Sequence, residues 1–350
     1  MTDREWEILL ASVRGEALTP APTAFIIDSP WLPNWAGMTL LDYYTSNEGW
    51  FQANLRATQE FPDCIFLPGF WPEYGMCTEP SAFGCRCLFP ENEFPFAEKV
   101  IEIPEEIDRL KQPDPRNHGL LPFVIKRLRH CLSRIENAGH RLRFAISRGP
   151  LNIASFLMGT TEFLTAMRDD PGRVHRLLRL ITEFAGNWLE YQRECFPTID
   201  GILLLDDIVG FIGESDFRAF ALPYLRKLMA ESGAAIRLFH NDAPCRRSAP
   251  YLAEAGINLF NMGSQARLQE IREWCGPDVA VMGNVPPRDV LAAGSPADVE
   301  TAVREQYRNL QDTRRVVFSC GGGMPPGVSG ENIRAFIRAV SAMGQSATPR

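Results

Sequence analysis

Eight short apolar runs, each ending in polar or glycine residues, recur along this 350-residue chain. Their near-continuous apolar character is what strands covered on both faces require. Stretches with helical periodicity separate most of the runs, and one small helix over residues 248–255 is predicted between the fifth and sixth runs. Eight alternations of strand and helix in a chain of this length predict an α/β fold, a single (β/α)8 TIM barrel. The runs occupy residues 24–28, 64–69, 144–147, 201–207, 236–242, 259–261, 279–284 and 316–320.

The chain is expected to form one domain over residues 1–350. A helical extension is predicted over residues 1–22, ahead of the first run. Residues 71–103, after the second run, contain Gly, Pro, Cys and aromatic residues but no helical pattern. They predict an irregular or hairpin insertion, and insertions of this kind commonly cover the mouth of a barrel.

Charge and cysteine content limit the partners and the compartment. The formal net charge of −7 argues against a nucleic-acid partner, because phosphate binding needs clustered Lys and Arg. The N-terminus has no apolar signal-peptide core, and no apolar run has the length of a membrane span. Nine scattered cysteines are typical of free thiols in a reducing cytosol. We therefore expect a cytoplasmic protein that acts on a small-molecule substrate, without nucleic-acid or membrane partners.

The fifth run ends in His240-Asn241-Asp242, and the fourth ends in Asp206-Asp207. Polar side chains of these types are costly to bury, so packing alone does not explain them. The active sites of (β/α)8 barrels lie at the C-terminal ends of the strands. These side chains are therefore predicted to form the functional site, with His240 and Asp207 as catalytic residues.

Imidazole, carboxylate and thiol groups are also zinc ligands, and catalytic zinc sites use three protein ligands with one open position. His240 and Asp242 share a face of the strand and could reach one ion if the strand is locally irregular. Cys320 or Asp207 would be the third ligand. The alternative is a carboxylate that orients the imidazole without any metal. Both interpretations stay open from the residues alone.

Three features near the predicted mouth extend this site. Glu79 stands in the insertion between Thr and Pro, could point inward, and is the third predicted catalytic residue. Gly321-Gly322-Gly323 follow the eighth run, and their backbone N–H groups could hold an anion or simply form a tight turn. Trp31 and Trp71 follow the first two runs and could receive a flat or apolar cofactor, or form a satellite core under a long loop.

Cys77, Cys85 and Cys87 cluster within the insertion. Structural zinc sites usually show paired Cys-x₂-Cys spacing, which is missing here. The cluster is therefore interpreted as either a weak metal site or buried thiols.

Several segments together resemble the uroporphyrinogen decarboxylase superfamily, and more closely its cobalamin-dependent methyltransferase branch. The resemblance covers most of the chain and implies a (β/α)8 barrel enzyme. The matching segments are residues 149–154, 157–159, 170–171, 206–207, 217, 222–224, 239–242, 254–257, 283–287, 322–326 and 331–333.

Departures from the family pattern bear on the reaction. The decarboxylases carry an Arg-Gln-Ala-Gly-Arg motif for substrate carboxylates, whereas this chain has residues 27–33 without arginine. Their catalytic aspartate is replaced within residues 67–70. The methyltransferases bind zinc through His-x-Cys and a later Cys. Here His240 is retained, Asp242 and Gly322 occupy the other two ligand positions, and Cys320 lies two residues before Gly322.

The leading hypothesis is a methyltransferase that moves a methyl group between a corrinoid (cobalamin), free or carried on a corrinoid protein, and a small acceptor or donor. Zinc or another divalent metal would be held by His240, Asp242 and Cys320. The two alternatives are a decarboxylase acting on a small carboxylate, and a non-catalytic corrinoid- or tetrapyrrole-binding protein.

Overall fold

A computed structural model describes residues 1–27 and 30–346. The predicted end of the first strand at Asp28 lies outside the described residues. The described residues contain ten strands, and eight of them correspond to the eight predicted runs. Those eight are β1 (Ala24–Ile26), β2 (Ile65–Leu67), β5 (Phe144–Arg148), β6 (Gly201–Leu205), β7 (Ile236–Asn241), β8 (Leu259–Met262), β9 (Ala280–Val285) and β10 (Val316–Cys320).

The eight strands are parallel and follow one another around the sheet. β5 to β10 form one six-stranded sheet in chain order, and β1 pairs with β2. Isolated bridges from Thr23 to Phe318 and from Ile26 to Gly323 join β1 to the β10 edge. This order of parallel strands agrees with the predicted TIM-barrel type, although no ladder joins β2 to β5 within the described residues.

Helices connect the strands along the outer side of the sheet. Several begin with an N-cap whose side chain accepts a backbone N–H, such as Thr39, Ser46 and Ser295. The α-helices are α1 (Asp3–Arg14), α2 (Leu32–Ala36), α3 (Leu40–Thr45), α4 (Asn47–Glu60), α5 (Leu121–Asn137), α6 (Pro150–Met158), α7 (Thr160–Asp169), α8 (Pro171–Cys195), α9 (Glu214–Asp216), α10 (Leu222–Met229), α11 (Leu268–Cys275), α12 (Pro296–Arg308) and α13 (Gly330–Ser346). π-helical turns at Phe217–Ala221 and Pro287–Ala292 adjoin them.

Strand alternation separates an inner core from an outer one. Leu203, Leu238 and Val317 belong to the inner cluster, whereas Leu204 and Phe239 pack with the helices. This two-sided burial explains why the runs are apolar without alternation. α1 packs against the inner cluster through Trp6 and its neighbours, where the Trp6 ring meets Phe144 edge-on at 5.5 Å.

The insertion after β2 contains two short 3-10 turns and a hairpin. The turns are Gly75–Cys77 and Pro80–Phe83, and a third follows at Pro104–Arg109. The hairpin pairs β3 (Cys87–Leu88) with β4 (Phe96–Ala97) in antiparallel register.

One helix expected from the sequence is much shorter in the structure. Residues 248–255 were predicted to be helical, but only a 3-10 turn at Ala249–Tyr251 is present. The backbone N–H groups of Tyr251 and Leu252 bond to carbonyls three residues earlier, and Gly256, with a φ of +86°, ends the segment just beyond them. Among the described residues, no helix has the length and apolarity needed to cross a membrane.

Candidate functional site

Alternation along β6 sends the two neighbouring aspartates in opposite directions. Asp206 is fully buried, and its carboxylate accepts the backbone N–H groups of Leu151 (2.9 Å) and Asn152 (3.1 Å) at the start of α6. Burial raises its pKa well above the ordinary range. Asp206 therefore anchors a helix, while Asp207 is left on the side of the strand ends that carries His240.

His240 lies on the inner face of β7 and is held by one neighbouring side chain. Its Nδ1 is 2.8 Å from Oδ1 of Asn261, which follows at the same level of β8. The Asn261 amide donates to the carbonyl of Met282, so its oxygen is the acceptor facing the imidazole. This network places the proton on Nδ1 and leaves Nε2 with a free lone pair in the neutral ring.

The free Nε2 faces Asp242. It lies 3.6 Å from Asp242 Oδ1, and the two side chains form an ion pair whenever the imidazole is protonated. Burial works against charge on the ring, but the carboxylates of Asp242 and Asp207 outweigh it and raise the pKa of His240. The Asp242 side chain is 54% exposed, but the surrounding protein still partly desolvates its carboxylate. This desolvation raises the pKa of Asp242 as well.

Asp207 fixes the turn that carries Asp242. Its Oδ1 accepts the backbone N–H of Asp242 at 2.7 Å. The backbone N–H of Asp207 is itself held by Oδ1 of Asn152 at 3.1 Å. Two carboxylates and one imidazole are thus brought together from β6 and β7, as the strand-end pattern indicated.

The glycine segment packs against this cluster through Gly322. A Cβ at Gly322 would lie 1.8 Å from Asp242 Oδ1, and its φ is +73°. The N–H groups of Gly321 and Gly322 donate to the carbonyls of Val285 and Met262. These two N–H groups are therefore not free to hold an anion. Gly323 adjoins open space.

Glu79 is buried at the end of β5 in a second charged group. Its carboxylate accepts the backbone N–H of Arg148 at 3.0 Å and lies 3.3 Å from the guanidinium. Glu73 contacts the same guanidinium at 2.9 Å. Burial opposes charge on Arg148, but the two carboxylates outweigh it and raise its pKa. No motif in the sequence indicates Arg148 or Glu73; the only signal is that Arg148 ends an apolar run.

Three of the predicted binding residues are buried in the inner or the outer core. Cys320 packs on the outer face of β10 beside Phe318, and burial raises the pKa of its thiol to about 12. Trp31 is fully buried in the outer core and donates to the carbonyl of Val328. Trp71 packs in the inner core, where its carbonyl accepts from Trp50.

The described part of the chain does not fit a three-ligand zinc site. No group of three or more His, Cys, Asp or Glu side chains within residues 1–27 and 30–346 is arranged to hold a metal ion. His240 and Asp242 together offer two donors, and the outward Cys320 thiol is not a third. The arrangement instead suits proton transfer, because an oriented imidazole stands beside carboxylates that stabilise its protonated form.

The close contact between Gly322 and Asp242 generates a stability prediction. We expect Gly322→Ala to lower the free energy of unfolding by about 1–3 kcal/mol, since it combines an unfavourable φ with displacement of the carboxylate. Gly323→Ala is the matched control, because nothing lies within 4 Å of its added Cβ and its φ is not in the left-handed region. Urea unfolding measures both, and equal losses would contradict the proposed packing.

The buried Glu73–Arg148–Glu79 group generates a second prediction. Arg148→Met should lower the free energy of unfolding by about 3–5 kcal/mol, because it leaves two carboxylates buried without their cation. Arg86→Met removes the exposed pair with Glu98 and should leave stability near the parent value. Urea unfolding measures both variants. Equal losses in Arg148→Met and Arg86→Met would argue against this electrostatic origin.

Comparison with known proteins agrees with this fold. A structure described as a methyltransferase from Methanosarcina mazei aligns with a TM-score of 0.78 at 19% identity, covering 96% of this chain and 98% of that one. A B12-independent methionine synthase from Shewanella sp. W3-18-1 aligns with a TM-score of 0.57 at 12% identity, covering 94% and 98%. At these identities the similarity shows the fold alone.

Sequence relatives include two kinds of enzyme. A uroporphyrinogen decarboxylase from Thioalkalivibrio sulfidiphilus is 24% identical over 318 residues, 87% of each chain. A methylated-thiol–coenzyme M methyltransferase from Methanosarcina mazei is 23% identical over 274 residues, covering 77% of this chain and 71% of the relative. The uroporphyrinogen decarboxylase (URO-D) family model matches residues 9–343. The chain therefore belongs to the uroporphyrinogen decarboxylase family.

Proposed function

We propose that this protein is an enzyme that transfers a methyl group between a corrinoid, free or carried on a partner protein, and a small acceptor or donor. The observation that carries the proposal is the His240 imidazole, which Asn261 orients so that Nε2 faces the carboxylate of Asp242. A methyl acceptor such as a thiol or hydroxyl must lose a proton to become a nucleophile, and this imidazole is placed to take it.

The charges around the site argue against a substrate with many carboxylates. Arg148 is the buried cation at these strand ends, and Glu73 and Glu79 already neutralise it. Asp207 and Asp242 add negative charge to the site. Arg288, which is exposed at the surface, has only the effect of lowering the pKa of Asp242, and burial outweighs it. A polycarboxylate would therefore meet repulsion, whereas a neutral or cationic small molecule would not.

The relatives are consistent with either reaction class. One is named a methylated-thiol–coenzyme M methyltransferase, at 23% identity, and the decarboxylases match at about the same level of 24%. The distribution of charge in the site is what favours methyl transfer over decarboxylation. The same relatives support decarboxylation of a small carboxylate as the second candidate function.

In the proposed reaction the corrinoid, when bound, supplies or accepts the methyl group through its cobalt. The neutral His240 accepts the acceptor's proton at Nε2, while Nδ1 keeps its proton in the bond to Asn261. Asp242 stabilises the resulting imidazolium, and Asp207 holds the turn that carries Asp242. Glu79 acts through Arg148 as a positioning residue, because its carboxylate binds that backbone and guanidinium.

Methyl transfer from methylcobalamin to a panel of small thiols and phenols tests this proposal, with the visible spectrum of the corrinoid as the readout. His240→Gln should lower kcat/KM by about 10²- to 10⁴-fold, the range expected for loss of a general base. His140→Gln is the matched control, because His140 is equally buried at 6% exposure, but burial and the N-terminal ammonium lower its pKa, whereas carboxylates raise that of His240. The rate should rise with pH through a pKa above 6.5, because the base works only when neutral.

The alternatives predict different results. Release of carbon dioxide from a small carboxylate without any corrinoid would establish the lyase. Tight corrinoid binding that survives His240→Gln, with no turnover of any substrate, would establish a binding protein. Equal losses in the two histidine variants would contradict the role given to His240.

A further inference from the structure

Three cysteines of the insertion lie together above the barrel and take no part in the site described so far. Cys77 ends the first 3-10 turn, and Cys87 begins β3. The Cys87 sulfur lies 3.9 Å from the carbonyl of Cys77 and 3.6 Å from the carbonyl of Cys85. A side-chain hydrogen bond also joins the Cys77 and Cys87 thiols. These two sulfurs are therefore neighbours although nine residues separate them in sequence.

The two thiols differ in exposure and in acidity. Cys77 is fully buried, whereas Cys87 is half-buried and open to small reagents. The hydrogen bond from Cys77 lowers the pKa of Cys87, and the same bond together with burial raises the pKa of Cys77. Burial raises the pKa of Cys85 to about 12. Cys87 is therefore the most readily ionised of the three thiols, with a protonated thiol beside it.

This pairing has the features of an oxidation-sensitive site. An accessible thiolate with an adjacent second thiol forms a sulfenic acid that the second thiol resolves. No metal-binding group of three such side chains occurs among the described residues, so a metal does not account for the cluster. The other described cysteines are buried, apart from Cys195, which accepts a hydrogen bond from Arg129 at 3.0 Å.

We propose that Cys87 is a site of reversible oxidation by hydroperoxides and that Cys77 is its resolving partner. The Cys87 thiolate attacks the peroxide O–O bond and becomes a sulfenic acid, while the leaving oxygen takes up a proton. The Cys77 sulfur then attacks the Cys87 sulfur, and a disulfide forms as water leaves. With hydrogen peroxide the balance is two thiols and one peroxide to one disulfide and two waters, so the two thiols supply both electrons.

The disulfide would connect the insertion directly to the charged group at the barrel mouth. Cys77 is followed by Thr78 and Glu79, and Glu79 holds Arg148 at the end of β5. Oxidation would therefore tie the β3–β4 hairpin to the turn that carries Glu79. This inference is independent of the reaction proposed above, because it rests on the insertion alone.

Peptide mapping by mass spectrometry after hydrogen peroxide treatment tests the pairing, with free thiols blocked by alkylation. The expected product is a Cys77–Cys87 disulfide that dithiothreitol reverses. In Cys77→Ser, Cys87 should instead accumulate as a sulfenic acid that a 1,3-diketone reagent traps. Cys87→Ser should abolish the disulfide, and Cys85→Ser should leave it unchanged.

Cys195 serves as the internal reference within the same digest, because it is the other described cysteine that is not fully buried. We expect it to give no intramolecular disulfide. A disulfide between Cys85 and Cys87, or trapping of sulfenic acid at Cys87 to the same extent in the parent and Cys77→Ser proteins, would overturn the proposal. Circular dichroism of each variant confirms that the fold is retained before oxidation.

Discussion

Every barrel strand in this protein must bury one face against the lumen and the other against helices. That constraint decides where each polar residue at a strand end points. It turns His240 and Arg148 inward, and it turns Asp206 and Cys320 outward to the helices. A polar residue at a strand end therefore joins the site only if its position along the strand places its side chain on the inner face.

A second constraint is electrostatic. The inward Arg148 is buried and requires compensation, which Glu73 and Glu79 supply from the insertion. With this cation neutralised, Asp207 and Asp242 dominate the region around His240 and raise its pKa. Because Glu73 and Glu79 neutralise Arg148, the region around His240 stays negative. This negative charge favours protonation of the His240 imidazole and disfavours the binding of polyanionic substrates.

Most of the fold follows from the sequence, because strands buried on both faces leave continuous apolar runs. All eight runs correspond to strands, and the insertion contains the expected hairpin. The short helix near residue 250 was the exception, because only a 3-10 turn forms there before Gly256 ends the segment. The proximity of His240, Asp242 and Asp207 was likewise predictable from strand ends that converge in a barrel.

Other parts of the site depend on contacts that no local pattern reveals. Asn261 looks like an ordinary strand-end amide until the register between β7 and β8 sets it opposite His240. Arg148 and Glu73 meet only because the insertion folds back over β5. The cofactor-binding roles suggested for the glycines required free N–H groups, but two of the three donate to neighbouring carbonyls. Side-chain direction and loop path, rather than residue type, determine these outcomes.

The central claim is that Asn261 holds the neutral His240 ring with its proton on Nδ1 and Nε2 bare toward Asp242. Long-range ¹H–¹⁵N correlation NMR of labelled protein, at a pH above the His240 pKa, measures this tautomer directly. We predict a protonated Nδ1 and an unprotonated Nε2, with the preference lost in Asn261→Leu. A proton on Nε2 in the parent protein would contradict it.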